Sequence, residues 1–379
     1  MKKTFFLHFF YTPVSLIFWI FNIKFPNIII DRIGHLICES DCYIKFHLIK
    51  KVKLPTTILL INKPSANITY LEYLKKYFII IKNPILVKLL LPFLNEPLCV
   101  FNTRKFIAES NITAKYYQIQ SEWGSNPPLF SLTNNDLIKG YSILSKMGLS
   151  KNSKFVCIHS RSHTYSPKDN FLHSYRNTPI SDYNLAAEYL IKNNIQCIRM
   201  GDANAESIEP IPGYIDYAKS AFRSDFMDIF LSANCLFFLG SNSGAFHMAS
   251  VFGKSVAIAN NAPITVAPTT YLDTYLFMLY KQYGNILSLN EIFNSSFANF
   301  RLSSDFEMNE ILLVKNTPEE ILQLAKEQLY KVNHKFSITQ QDLYYQNKFR
   351  SFFKNGDYSY KCDAHVSYKF LENHKYLFE

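Results

Sequence analysis

A turn rich in glycine and serine, placed between an apolar strand and a helix, is the strongest chemical signal in this sequence. Residues 237–249 read FFLGSNSGAFHMA, so an apolar strand runs directly into small residues and then into a helix. Backbone N–H groups at a helix start favour an anion, and small residues let a phosphate approach the backbone closely. The alternative is an ordinary strand–helix turn in which a serine caps the helix. The candidate phosphate ligands are Ser241, Asn242, Ser243 and Gly244.

A second group of polar residues follows the apolar run KFVCI at 154–158. Arginine presents two parallel N–H donors to phosphate oxygens, so two arginines on a loop after a strand suit a diphosphate. The alternative is that these arginines are solvated or structural. The candidate phosphate-binding residues here are His159, Arg161, Arg176 and Asn177. They lie in the polar stretch 159–177, which also contains Tyr165, Asp169, His173 and Tyr175.

Four further residues in the second half could join such a site. A third strand end carries Arg199 and Gly201, which predicts that it reaches the same edge of a sheet. Asp225 opens a helix after Ser224, where it would either hold a ribose or only complement the helix dipole. His247 lies one turn into the helix after the glycine turn, and it would touch a phosphate or sugar or pack in the core.

The first half offers candidates for a catalytic base. The sequence Asp31-Arg-Ile-Gly-His-Leu36 follows a short apolar run, and such a loop faces the cleft between domains in two-domain α/β proteins. A carboxylate or imidazole there could take the proton of an acceptor hydroxyl. The base candidates are therefore Asp31, His35 and Glu39, and the alternative is a capped turn without chemistry.

Repeated strand–helix units are expected to position these residues. Continuous apolar runs at 56–61, 78–81, 154–158, 196–200, 235–239 and 255–259 alternate with helical patterns, as at 183–192, 225–234 and 317–330. A first strand is predicted at 27–30. Apolar strands alternating with helices and joined by short connections predict parallel, doubly wound sheets.

Length and composition bound the possible classes of protein. The 379 residues favour two domains, and 48 % hydrophobic residues exclude a disordered chain. The net charge of +10 permits a nucleotide diphosphate, an anionic lipid or a nucleic acid as partner. Nucleic acid is disfavoured because the basic residues are dispersed and no recognition motif occurs. Seven cysteines at scattered positions favour reduced, buried thiols over a disulfide framework or a metal site.

The apolar segment at residues 4–22 has several interpretations. It offers no small-residue cleavage site for a signal peptide, and His8, Thr12, Pro13 and Ser15 interrupt it as a membrane span. We favour a segment that lies on the membrane surface, anchored by Trp19 and several phenylalanines. A helix buried in the first domain is the alternative.

The sequence resembles a family of bacterial glycosyltransferases that occur with surface-polysaccharide genes. The stretch 240–259 is similar to the donor-binding unit of GT-B glycosyltransferases, distantly including the heptosyltransferases, and His159 with Arg161 resembles a phosphate-binding pair of fucosyltransferases. The resemblance departs at Ser162 and Ser174, where the family usually has acids, so it implies binding rather than catalysis for this loop. The matching positions are 31–36, 157–159, Arg161, His173, 175–177, 199–201, 224–228 and 240–244.

The resemblance implies a GT-B fold of two Rossmann-like domains that face a cleft. The expected divisions are an apolar N-terminal segment at 1–24, an acceptor domain at 25–135, a donor domain at 136–330, and a helical tail at 331–379 that packs back on the acceptor domain. A turn-rich linker is predicted at 121–135.

The resulting prediction is sugar transfer from a nucleotide diphosphate sugar to a cell-surface polysaccharide or glycolipid acceptor. No Asp-x-Asp sequence is present to hold a divalent metal, so neither a metal nor another cofactor is expected. The expected location is cytoplasmic, at the inner face of the cytoplasmic membrane. A nucleotide-sugar epimerase of the same fold is disfavoured because residues 245–248 lack the acids that it needs. A non-catalytic nucleotide-sugar-binding or scaffold protein is the remaining alternative.

Overall fold

The computed structural model describes residues 2–96, 98–101, 112–164 and 171–379, with backbone only at 2–10, 101 and 112–114. Tyr165 and Asp169 lie outside the described residues. The chain divides into two compact units, residues 1–125 and 126–379. This division falls within the turn-rich stretch 121–135.

The first unit is built on a four-stranded parallel sheet. Its strand order is β3-β2-β1-β4, and all three pairings are parallel. The strands are β1 (Ile23–Pro26), β2 (Thr56–Leu60), β3 (Phe78–Ile81) and β4 (Val100–Phe101). The helices are α1 (Lys2–Ile20), α2 (Ile33–Ile49), α3 (Ile68–Leu74), α4 (Pro84–Leu90) and α5 (Ile112–Trp123), with a 3-10 turn at Leu91–Asn95 after α4.

The apolar N-terminal segment forms α1, and one side of this helix belongs to the core of the first unit. Tyr11, Ser15 and Phe18 lie on one stripe of the helix, and the two rings contact Phe93 at centroid distances of 5.0 and 4.8 Å. Among the described residues, no helix has the length and apolar character needed to cross a membrane.

The second unit is built on a seven-stranded parallel sheet in the order β14-β10-β9-β8-β5-β6-β7. Its inner strands are almost completely buried, as expected of a sheet covered on both faces. The strands are β5 (Phe155–His159), β6 (Gln196–Arg199), β7 (Tyr214–Ile215), β8 (Phe238–Ser241), β9 (Val256–Asn261), β10 (Thr274–Phe277) and β14 (His365–Val366).

Helices and a small second sheet complete this unit. The antiparallel sheet has the order β12-β11-β13 and was not predicted. Its strands are β11 (Leu279–Gln282), β12 (Asn285–Ile286) and β13 (Ile311–Val314). The helices are α6 (Asn134–Lys146), α7 (Asn184–Lys192), α8 (Asp225–Asn234), α9 (His247–Ser250), α10 (Leu289–Phe293), α11 (Ser303–Met308), α12 (Pro318–Val332), α13 (Gln340–Ser351) and α14 (Tyr368–Asn373).

The C-terminal residues from 331 onward are part of the second unit. Their strand β14 pairs in parallel with β10, and Phe349 stacks on Phe277 at 5.3 Å between ring centroids. The carboxylate of Glu327 accepts hydrogen bonds from the Ser367 hydroxyl and from the Tyr368 amide. The tail therefore extends the seven-stranded sheet of the second unit. Its expected packing on the first domain stays a prediction.

Sequence patterns located most strands, with one displacement near the N-terminus. The first strand is Ile23–Pro26 rather than 27–30, because residues 23–26 are the ones that pair with β2 and β4. Residues 28 and 30 are buried without belonging to a strand, so their apolar character reports core packing. All seven cysteines are free, and only Cys38 is not fully buried.

Helices α6 and α8 touch closely at Gly140, which gives a test of the packing. A methyl group at Gly140 would meet the buried ring of Phe230 at 2.1 Å. Gly140→Ala is expected to lower the free energy of unfolding by about 1–3 kcal/mol through overpacking, although alanine is the better helix former. Urea denaturation followed by circular dichroism measures the change. Ser142→Ala on the exposed side of α6 is the matched control, and a Gly140→Ala protein as stable as this control would contradict the packing.

Candidate functional site

The strongest candidate site lies where the order of the seven-stranded sheet reverses. From β5 the chain adds β6 and β7 on one side, and it later returns to add β8, β9 and β10 on the other. The switch point is therefore between β5 and β8, and open α/β sheets bind ligands beyond the carboxyl ends of strands at such points. Residues 159–161 and 241–244 leave these two strands side by side.

Close approach of the two strands requires glycine at position 240. His159 is the register partner of Gly240, and a Cβ atom on Gly240 would lie 2.7 Å from the carbonyl oxygen of His159. Any other residue would push the strand ends apart. Beyond this contact, the backbone N–H of Arg161 donates to the Ser241 hydroxyl at 2.8 Å, which joins the two loops at their first residues.

The side chain of Arg161 reaches along its own loop. Its guanidinium donates to the carbonyl oxygen of His173 at 3.2 Å and makes a short hydrogen bond to the amide oxygen of Asn177. Arg161 is only 8 % exposed. The described part of the 159–177 loop is thus folded around this guanidinium, which lies at the sheet edge where the sequence predicted it.

Arg176 connects the same loop to the glycine-serine turn. Its Nε donates to the carbonyl oxygen of Asn242 at 2.9 Å, and a terminal nitrogen donates to the Asn242 amide oxygen at 3.0 Å. Asn242 in turn donates to the carbonyl of Ala262 at 2.8 Å. Two predicted arginines and the predicted turn therefore form one hydrogen-bonded group.

Ser243 carries out the capping role that was the alternative to phosphate binding. Its hydroxyl accepts from the Ala245 amide at 3.2 Å and lies 3.3 Å from Nδ1 of His159. The predicted helix is shorter than expected, since a 3-10 turn at Gly244–Phe246 precedes the four-residue α9. His247 begins α9, and its ring lies 4.2 Å from that of Phe246.

His159 is a neutral imidazole at physiological pH. Burial lowers its pKa to about 4, and the positive charges of Arg199 and Arg161 act in the same direction. Gly201, with φ of +122°, lies against this ring, because a Cβ there would be 3.1 Å from Cδ2 of His159. The histidine is consequently held between neighbouring strand ends without carrying a charge of its own.

Arg199 has a structural partner that sequence reasoning missed. Its guanidinium forms an ion pair with Asp216 at 2.8 Å, and only 3 % of the residue is exposed.

Two acids lie in the first turn of α8. Asp225 directly follows the cap Ser224. Asp228 accepts a hydrogen bond from the Tyr217 hydroxyl at 2.8 Å, and burial raises its pKa to about 6.

A segment far along the chain holds the 171–177 part of the polar loop in place. Ser303 accepts a hydrogen bond from the Ser174 amide at 3.0 Å, and the carbonyl of Arg301 lies 2.9 Å from both His173 Nδ1 and the Tyr175 hydroxyl. More than 120 residues separate these partners, so no local sequence pattern identifies them.

The start of the same loop is hydrogen-bonded to the end of the neighbouring strand β6. Ser162 and Thr164 share a hydrogen bond, and Thr164 donates to Asp202 at 2.6 Å.

In the first unit, the three base candidates have different surroundings. Glu39 is buried, and its two oxygens bind His35 Nδ1 at 2.8 Å and the Ile29 amide at 3.2 Å. His35 itself is exposed at the start of α2. Asp31 is paired with Lys63 at 2.9 Å, and the hydrogen bond from Lys63 lowers its pKa. His35 is thus the exposed imidazole of a His–Glu pair.

Comparisons with known proteins gave matches in structure but not in sequence. No family model and no curated protein matches the chain. It is similar to the solved structure of a glycosyl transferase family 9 protein from Veillonella parvula, with 12 % identity and a TM-score of 0.48, over 82 % of this chain and 97 % of that one. It is also similar to E. coli ADP-heptose LPS heptosyltransferase II, with 12 % identity and a TM-score of 0.44, over 82 % and 100 %.

The lowered pKa of His159 predicts a specific dependence of stability on pH. Between its ordinary value of 6.5 and about 4, the unfolded chain binds a proton at this position and the folded chain does not, so falling pH favours unfolding. Relative to His159→Gln, the wild type should lose about 2 kcal/mol of unfolding free energy between about pH 7.5 and about pH 5. Urea titrations of both proteins at each pH measure this difference, and parallel curves would contradict a neutral His159 with a lowered pKa.

Proposed function

We propose that this protein is a glycosyltransferase that moves a sugar from a nucleotide diphosphate sugar to a cell-surface polysaccharide or glycolipid acceptor. The observation that carries the proposal is the hydrogen-bonded group at the β5–β8 switch point. There, Arg161 and Arg176 are fixed beside the turn 241–244. A group with two guanidinium cations at the carboxyl edge of a parallel sheet suits the diphosphate of a nucleotide sugar.

The two arginines would act on the leaving group. When the bond between the sugar and the diphosphate breaks, negative charge accumulates on a phosphate oxygen, and fixed cations nearby stabilise that charge more than the ground state. Arg161 and Arg176 are oriented in advance by Asn177 and Asn242, so little reorganisation is required. Neutral His159 would serve as a hydrogen-bonding group beside Ser243. The transfer is proposed to need no metal, in line with the missing Asp-x-Asp sequence.

His35 is the proposed base for the acceptor hydroxyl. In the tautomer whose Nδ1 donates to Glu39, Nε2 has the lone pair that accepts a proton, and the carboxylate stabilises the imidazolium that forms. Glu39 has both oxygens engaged, and the pairing of Asp31 with Lys63 makes Asp31 the weaker base. The hydrogen-bonded pair of His35 and Glu39 therefore favours His35 among the three base candidates.

We also propose that the protein works at the inner face of the cytoplasmic membrane, with residues 4–22 in contact with lipid. This is supported by the exposed apolar side chains on the outer side of α1, such as Trp19 and Ile20. Its substrates would then include a lipid-linked or surface-bound glycan.

A donor screen tests the proposed activity. Thermal unfolding is measured with UDP-, GDP-, ADP- and CMP-sugars, and we expect one nucleotide class to raise Tm because ligands that bind only the folded state stabilise it. A flat response to all of them would favour a scaffold. Release of a free sugar epimer in place of transfer would favour an epimerase.

Arg161→Ala should weaken binding of the donor found in that screen. Loss of a charge-assisted hydrogen bond costs about 1.5–3 kcal/mol, which is roughly a 10- to 150-fold rise in Kd. Isothermal titration calorimetry measures the change. Lys192→Ala removes one positive charge at the end of α7 and is the control, expected to bind as wild type. Equal donor affinity of the wild type, Arg161→Ala and Lys192→Ala would show that the donor binds elsewhere.

Substitutions of His35 and Glu39 separate the role of the base from that of the carboxylate that stabilises its charge. His35→Gln should reduce kcat by about 100-fold or more, and Glu39→Gln by about tenfold with little change in KM, because the amide still holds the ring but no longer stabilises its charge. Steady-state transfer kinetics measure both. Asp31→Asn is the matched control, with kcat close to wild type. A larger loss in Asp31→Asn than in His35→Gln would assign the base to Asp31.

A further inference from the structure

The outer side of α1 exposes a continuous set of large apolar side chains. Its inner stripe is used for packing by Tyr11, Ser15 and Phe18, which are spaced four and three residues apart. The residues between them point away from the sheet, and Trp19 is 53 % exposed. The exposed apolar residues of this segment are Val14, Leu16, Ile17, Trp19, Ile20 and Phe21.

A second element, distant in sequence, exposes apolar side chains beside them. Helix α4 and the turn after it expose Ile85, Leu86, Leu89 and Leu91, and Ile85 is 70 % exposed. Phe93 in that turn packs on the rings of Tyr11 and Phe18, and Leu90 at the end of α4 packs against the same cluster, so the two elements meet in the core of the first unit. Isolated exposed hydrophobic residues are ordinary, but many large ones on two elements that pack against one cluster indicate an interaction site.

The first unit also carries nearly all of the net charge. Residues 1–125 contain 16 Lys and Arg against 7 Asp and Glu, a net of +9 out of the +10 of the whole chain. Lys88 is exposed on α4 between Ile85 and Leu89. Lys24 follows α1 and binds the carbonyl of Leu98, which is itself exposed. An apolar surface with cationic side chains around it matches an anionic partner.

We propose that α1 and α4 together form a docking surface for an anionic lipid bilayer. The apolar side chains would enter the boundary between headgroups and acyl chains, while the lysines contact the headgroups. The inference deepens the proposed membrane contact by adding α4 as a second insertion element and by naming anionic lipid as the partner. It rests on that part of the proposed function, and vesicle binding tests it without any sugar transfer.

A bilayer fits this surface better than a second copy of the chain. Two copies meeting through it would bring two units of net charge +9 together, and their repulsion would oppose association. An anionic membrane gains from the same charges. The contribution of charge also predicts that binding weakens at high ionic strength, because salt screens the attraction between lysines and headgroups.

Sedimentation with vesicles tests the proposal on the full-length protein. The vesicles are phosphatidylcholine alone or a mixture of phosphatidylcholine and phosphatidylglycerol, each at low and high ionic strength. We expect binding to the mixed vesicles, weaker at high salt. Ile85→Glu with Leu89→Glu should raise the lipid concentration for half-binding by about tenfold or more, because two carboxylates would have to enter the apolar layer. Ile138→Glu with Met308→Glu, at exposed positions of the second unit, is the control for added charge and should bind as wild type.

Each result of the vesicle experiment decides a different part of the proposal. Unchanged binding by the α4 variant would overturn the role of α4, and absence of binding by the wild type would overturn the docking surface as a whole. Light scattering of the lipid-free protein provides a further check, since a dimer that the α4 substitutions dissociate would assign the surface to self-association. A donor response in the thermal screen without vesicle binding would leave the enzyme proposal intact and reject this one.

A fluorescence measurement covers the case in which the α4 variant fails to fold. The chain has two tryptophans, Trp19 and Trp123, and both can be replaced by Phe in a protein that carries Ile85→Trp. Brominated lipid in the mixed vesicles should quench this single tryptophan. Emission that brominated vesicles leave unchanged would overturn insertion of α4.

Discussion

The parallel pairing of β5 and β8 is the constraint on which the candidate donor site depends. Gly240 lets the two strands approach so closely that a Cβ would lie 2.7 Å from the His159 carbonyl. This contact sets the starting points of two loops, which then join through Arg161 and Ser241. Because the order of the sheet reverses here, the chain continues from β5 to one side and from β8 to the other, which in open α/β sheets leaves a crevice beyond the strand ends. One backbone contact therefore positions the arginines, the turn and the histidine together.

At the carboxyl ends of β5, β6 and β8, the charge of each side chain depends on its burial and partners as well as on its residue type. Arg199 is neutralised by Asp216, so it supports the strand end instead of extending from it. His159, enclosed beside Arg199 and Arg161, has its pKa lowered to about 4 and adds no positive charge. A neutral imidazole next to guanidinium groups can accept a hydrogen bond from a ligand or from Ser243 without repelling the cations. The loop 173–177 gains its order from Arg301 and Ser303.

The two units divide the properties expected of an enzyme that works on a surface glycan. The first has nearly all of the net charge, an exposed apolar surface on α1 and α4, and the His35–Glu39 pair. The second is close to neutral as a whole and places Arg161, Arg176 and Arg199 at one sheet edge. The proposed association with an anionic surface and the proposed recognition of a diphosphate would both use positive charge, the first through lysines and the second through fixed guanidinium groups.

The sequence by itself determined the doubly wound class, most strands, and the candidate ligands at the strand ends, because apolar periodicity and turn residues are local signals. It also predicted that the apolar segment at 4–22 either lies on the membrane surface or is buried in the first domain. Only the tertiary structure decided that Arg199 pairs with Asp216, that Ser243 caps the turn, and that the tail adds β14 to the larger sheet. It also showed that Leu90 of α4 and Phe18 of α1 pack against one cluster, and that His35 is hydrogen-bonded to Glu39. These outcomes depend on which side chains meet across long sequence separations, and burial and pairing then set their charge.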